Sequence, residues 1–123
     1  MKVKRSADEF LNDIIVWSAR ALSHIEGMTH PEFLESNLVQ DACAKCIENI
    51  VEAASRAIKL DPQLRKEHPH LDTDIAYQTR NALAHGYHEI NYDILWDTVT
   101  IYAPRFANEV AAILAKRKAD TTH

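Results

Sequence analysis

Residues 37–60, NLVQDACAKCIENIVEAASRAIKL, carry the longest regular pattern in the chain. Leu38, Ala42, Cys46, Ile50, Ala53, Ala57 and Leu60 recur at steps of three and four, with Val39, Cys43, Ile47, Ala54 and Ile58 beside them. Apolar residues at that period line one face of an α-helix. The spacing predicts a helix from Asn37 to about Leu60, ended by Asp61-Pro62, because proline supplies no N–H and its ring collides with the preceding turn.

The pattern continues on both sides. Toward the N-terminus, Ser6-Ala7-Asp8-Glu9 has the capping-box form, and Phe10, Ile14, Trp17, Ala21, Leu22 and Ile25 follow at helical steps. A helix from Ala7 to about Glu26, stopped at Gly27, is expected. Thr29-His30-Pro31-Glu32 then caps a short turn carrying Phe33 and Leu34. Toward the C-terminus, 63–71 reads as a loop, with room for one helical turn near Pro62–Arg65. Asp72 or Thr73 opens a fourth helix through Ile75, Gln78, Ala82 and His85, stopped by Gly86. Asn91 opens the last, with Ile94, Leu95, Thr98, Ile101 and Tyr102 on its face. Pro104 falls inside that pattern, so a kink or split is expected there before the helix resumes through Phe106, Val110, Ile113 and Leu114. The fold class is all-α: an up-and-down bundle of four to five helices in one domain over 1–123, with its core over about 6–115 and a frayed tail at 119–123.

Composition agrees. The 123 residues hold two glycines and four prolines, too few for a turn-rich β fold, and are 46% hydrophobic and 26% charged. No apolar run has membrane-spanning length and no apolar segment follows the basic N-terminus, so the expected location is cytoplasmic, without a membrane. A net charge of −4 and a pI near 5.9 argue against a broad basic face for duplex DNA. They leave room for a small RNA contact built on a few arginines, of modest affinity or assembled by a second subunit. Cys43 and Cys46 form a C-x-x-C inside a helical pattern. No strand precedes it and no second pair completes a zinc site, so both read as small buried residues. Arg56, Lys59, Arg65 and Lys66 read as a solvated face, with a positive rim for RNA as the alternative.

The chemistry concentrates in Arg80-Asn81-Ala82-Leu83-Ala84-His85-Gly86-Tyr87. Arg80 is a permanent cation whose planar fork matches phosphate oxygens. His85 is the side chain most able to exchange a proton near neutrality. Five residues separate them, about 140° around a regular helix, so they share a pocket only if the chain turns at Gly86 or a second copy completes the site. The reaction these groups suit is RNA cleavage without a metal or other cofactor. His85 would move the 2′-hydroxyl or leaving-group proton, and Arg80 would hold the phosphate. Asn81 would orient the phosphate or His85, and Tyr87 would bond the phosphate or stack a base. A 2′,3′-cyclic phosphate end is expected, with DNA inert. Glu52 places a charge in an apolar stripe. Either it pairs with Arg80 or His85 and orients the motif, or it lies in water at the stripe's edge. The plain alternative for the octet is a histidine placed favourably at a helix end.

The octet resembles the Arg-x4-His-x-Tyr signature of the HEPN superfamily, in its HepT-like toxin branch. Phe33-Leu34 with Leu38-Val39-x-Asp41-Ala42, Ile50-Val51-Glu52-Ala53-Ala54, and Asp93-Ile94-Leu95-Trp96 with Pro104 are similar to other segments of that family, in register over about 6–115. Val51 stands where the family carries glycine, and Tyr77-Gln78-Thr79 differ from its usual small and methionine residues. The resemblance implies a helical ribonuclease toxin that acts as a homodimer, with a cleft built by both protomers. It implies a cognate antitoxin, a minimal nucleotidyltransferase of the MntA type, able to attach AMP to the motif tyrosine, here Tyr87. An adenylylated phenol would block the cleft and set negative charge beside Arg80. A second reading is a non-catalytic helical module that binds a nucleotidyltransferase partner or nucleotide through the same octet.

Overall fold

Helix caps set most of the architecture. The computed structural model describes residues 4–83 and 90–121. Its helices are α1 (Ala7–His24), α2 (His30–Leu34), α3 (Asn37–Leu60), α4 (Gln63–Glu67), α5 (Thr73–Leu83), α6 (Tyr92–Asp97) and α7 (Ala103–Thr121), with a π-helical turn (Thr98–Tyr102) joining the last two. No strand occurs among the described residues, and the chain is an all-α bundle as expected. The expected stop at Gly86 lies outside the described residues.

Ser6 caps α1, its hydroxyl accepting from the Glu9 N–H at 3.1 Å. The Glu9 carboxylate turns to the Ser6 hydroxyl and to Arg5 instead of closing the box. At α2 the box is complete: the Thr29 hydroxyl accepts from the Glu32 N–H at 3.3 Å, and the Thr29 N–H donates to the Glu32 carboxylate at 2.8 Å. The Thr29 backbone N–H first, and then the Thr29 hydroxyl, favour the charged Glu32 carboxylate and hold it below its ordinary range. Gly27 ends the α1 turn at φ +74°, a left-handed backbone that side chains resist. Ser36 caps α3 by accepting from the Val39 N–H, and the helix runs from Asn37 to Leu60 as expected.

The core is one cluster, with Phe33, Ile47, Ile50, Leu95, Val99 and Val110 fully enclosed. Leu38, expected on the buried stripe, is 81% exposed. The inward face of α3 instead starts at Gln40 and Cys43. Periodicity identifies a stripe but does not say where the neighbouring helices stop covering it. Gln40 is buried because its amide donates to the carbonyls of Phe33 and Leu34, both at 3.0 Å. Those carbonyls belong to the end of α2, where intrahelical donors run out; that of Phe33 also accepts from the Ser36 N–H at 3.2 Å, and the glutamine bonds both and docks α2 on α3. Cys43 and Cys46 are buried free thiols, as read, and burial pushes Cys43 up to about 12.

Arg117 fixes the helix directions. On α7 it reaches Asp8 at the start of α1 (2.7 Å) and Asp61 just past α3 (2.8 Å). Cys43, near the start of α3, meets the Ala21 carbonyl near the end of α1. Thus α1 runs antiparallel to both α3 and α7. Where Pro104 predicts a split, the chain widens into the π-turn, and the Ala103 N–H reaches back five residues to the Thr98 carbonyl. The hydroxyls of Thr98 and Thr100 donate to the carbonyls of Ile94 (2.7 Å) and Trp96 (2.8 Å). α7 then continues to Thr121, into the tail expected to fray.

Candidate functional site

α5 delivers the first half of the octet. Ile75 and Ala82 bury one side of the helix against the bundle, which turns Tyr77 and Arg80 outward. Arg80 lies in the last turn and is exposed, Asn81 is half-buried, and Tyr77, three residues before Arg80, is 62% exposed. His85, Gly86 and Tyr87 lie outside the described residues, so convergence of His85 and Tyr87 with Arg80 remains an expectation. The chain leaves α5 and returns at α6, where the Asn91 N–H donates to the Ala82 carbonyl at 2.9 Å. Asn91 also caps α6, its side chain accepting from the Ile94 N–H at 3.0 Å.

The arginines separate into two groups. Of the seven in the sequence, four are held by carboxylates: Arg5 by Asp13, Arg56 by Glu52, Arg65 by Asp72, and Arg117 by Asp8 and Asp61. Arg20 and Arg105 sit over the rings of Trp17 (4.5 Å) and Tyr102 (5.5 Å). Arg80 has neither kind of partner among the described residues. A guanidinium with all five donors unspent is suited to an anionic ligand.

Glu52 is corrected. Its side chain is 61% exposed, and its carboxylate accepts from Arg56 at 2.9 and 3.1 Å, one helical turn away. It lines a groove between α1 and α3 with Phe10, Asp13, Trp17 and Asn49. The expected bond to Arg80 does not form. The i,i+4 partner is closer, and a glutamate already in water needs no distant cation. An orienting role for Glu52 through Arg80 therefore has no contact to carry it.

Sequence reading missed a second polar cluster. His30 Nε2 and Asp93 Oδ1 are 2.9 Å apart, joining α2 to α6 across 63 residues of chain. The His30 ring stacks on Trp96, with centroids 5.3 Å apart and planes 13° apart, and Phe33 meets the same indole at 5.3 Å. No local pattern announces a contact at that separation. No group of three metal-ligating side chains occurs among the described residues, and none of their helices is long and apolar enough to cross a membrane.

This arrangement has known relatives. Residues 7–113 match the HepT-like ribonuclease family, and the chain belongs to it. A candidate RNase of Methanocaldococcus jannaschii is 26% identical over 111 residues, which span 90% of this chain and 89% of the relative. Another from the same organism is 29% identical over 111 residues, 90% of this chain and 89% of the relative. A candidate RNase of Caldanaerobacter subterraneus subsp. tengcongensis is 25% identical over 109 residues, 89% of this chain and 95% of the relative. No solved structure matches the chain at a significant level. RNA phosphodiester cleavage, the activity read from the octet, is the activity of the family.

Proposed function

We propose that this protein is a metal-independent endoribonuclease toxin of a toxin–antitoxin pair, acting as a homodimer through Arg80, Asn81, His85 and Tyr87. The observation that carries this reading is Arg80: the one arginine with neither carboxylate nor ring partner among the described residues is the arginine of the motif. Arg80 binds the scissile phosphate and neutralises the charge that grows on it. The RNA 2′-oxygen attacks phosphorus while the bond to the 5′-oxygen breaks. One His85 accepts the 2′ proton, and the His85 of a second copy protonates the leaving oxygen. The products are a 2′,3′-cyclic phosphate and a 5′-hydroxyl. Exposed Tyr77, one turn from Arg80, offers a ring on which a flanking base stacks. A nucleotidyltransferase antitoxin silences the site by adenylylating Tyr87, which puts a phosphodiester anion where Arg80 would otherwise hold substrate.

Purified protein is incubated with single-stranded RNA in chelator. Cleavage leaving cyclic-phosphate ends, absent in His85→Ala and with DNA, is the expected result. Cleavage that survives His85→Ala removes the histidine from the mechanism. Failure of unmodified wild type to cut any RNA favours the docking-module reading. Intact mass after incubation with the partner and ATP tests the acceptor: added AMP that persists in Tyr87→Phe excludes Tyr87.

A further inference from the structure

The motif's arginine stands at the end of a short helix, and a series of contacts leads from it to the body of the bundle. Ala82, two residues past Arg80, accepts the Asn91 N–H at 2.9 Å, which ties the end of α5 to the start of α6. The first turn of α6 carries Asp93, and its next turn Trp96. Both are engaged by His30, the first through a 2.9 Å hydrogen bond and the second through a parallel stack. His30 begins α2, which is itself pinned to α3 by Gln40 bonding the Phe33 and Leu34 carbonyls. The contacts run in series, α5 to α6, α6 to α2 and α2 to α3, and His30 makes two of the three ring or side-chain contacts described between α2 and α6, Phe33 on Trp96 being the third.

We propose that His30 is a positioning residue for RNA cleavage: by clasping Asp93 and Trp96 it holds α6 in place and, through the Asn91–Ala82 bond, fixes the end of α5 that presents Arg80. The inference rests on the ribonuclease reading above. Catalysis that depends on holding a phosphate is sensitive to displacements of an ångström in the group that holds it. The bond and the stack divide the work. The bond sets the rotation of α6 about its axis, because Asp93 projects from one side only. The stack sets its distance from α2.

Three variants separate these contributions. His30→Ala removes both, His30→Phe keeps a ring for Trp96 without the donor, and His30→Gln keeps a donor for Asp93 without the ring. Two quantities are read: kcat and KM on a single-stranded RNA, and exchange of the Asn91 amide relative to that of buried Ile50, which reports global opening. In His30→Ala, kcat is expected to fall about tenfold with KM nearly unchanged, and Asn91 exchange to rise about tenfold relative to Ile50. His30→Gln is expected to recover both to within about threefold, and His30→Phe to recover neither fully. Wild-type kcat and Asn91 protection in His30→Ala would overturn the proposal. So would a loss of kcat with Asn91 protection intact, or a loss that His30→Gln leaves unrepaired. Wild type that cuts no RNA overturns the ribonuclease reading instead, and the exchange measurement alone then decides whether the clasp exists.

Discussion

The α1–α3–α7 body and the α5–α6 end of the bundle use charge in opposite ways. In the body, Arg5, Arg56 and Arg117 spend their donors on Asp13, Glu52, Asp8 and Asp61, and the Arg117 pairs join the ends of α7, α1 and α3. At the other end, Arg80 and Tyr77 face outward. Arg80 carries no partner there among the described residues, and what holds the helix in place is buried Ile75 and Ala82 with the Asn91 backbone bond. An arginine that builds the fold is legible from its carboxylate. Arg80 shows no such carboxylate among the described residues, which is why the proposed phosphate contact falls to it.

The contrast breaks first at Arg80. Arg80→Ala is expected to lower kcat/KM about 10²- to 10³-fold, because an electrostatic contact made to the developing charge is lost. It should leave the melting temperature within the scatter of ordinary surface changes. A clear drop in thermal stability would place Arg80 with the scaffold. Ile50→Ala, in the fully enclosed part of α3, should do the reverse. A loss of about 3 kcal/mol in urea titration, with unchanged activity per folded molecule, is the expected signature of a core cavity.

Arg117→Ala tests whether the body's ion pairs carry weight. Its two carboxylates sit partly out of water, and a loss of about 1.5 kcal/mol with normal cleavage is expected. No change in stability would reduce the bridge to a surface ornament. Cys43 gives the smallest effect, and its sign follows from burial. Its folded thiol is raised, so its contribution is complete below the unfolded thiol range and fades as pH climbs toward the folded value of about 12. Wild type should lose about 1 kcal/mol between pH 8 and pH 9.5, beyond what Cys43→Ala loses over the same interval. Equal losses would mean that this thiol is not the group responsible.

Much of the helical framework was legible because the chain writes its own boundaries. Ser6, Thr29, Gly27, Asn91 and the Asp61-Pro62 stop are local devices, each acting within a turn of where it stands. Arg80 was singled out from side-chain chemistry alone, and the structure leaves it exposed in the last turn of α5 with no carboxylate or ring partner among the described residues. Gln40 was not: a glutamine beside an apolar stripe resembles a surface residue until the carbonyls at the end of α2 come to rest on its amide. Glu52 stayed open between a distant cation and water because periodicity alone does not separate the edge of a stripe from its middle; its partner is Arg56, four residues away on its own helix.

Sequence alone therefore determined where most helices start and stop, the all-α class and the chemistry available at the end of α5, because caps, periodicity and ionisation act over a few residues. Tertiary packing decided that Leu38 would face water, that Gln40 would be buried against the end of α2, and that His30 would meet Asp93 across 63 residues. Those outcomes depend on which surfaces the other helices happen to cover, and a one-dimensional pattern does not encode that coverage.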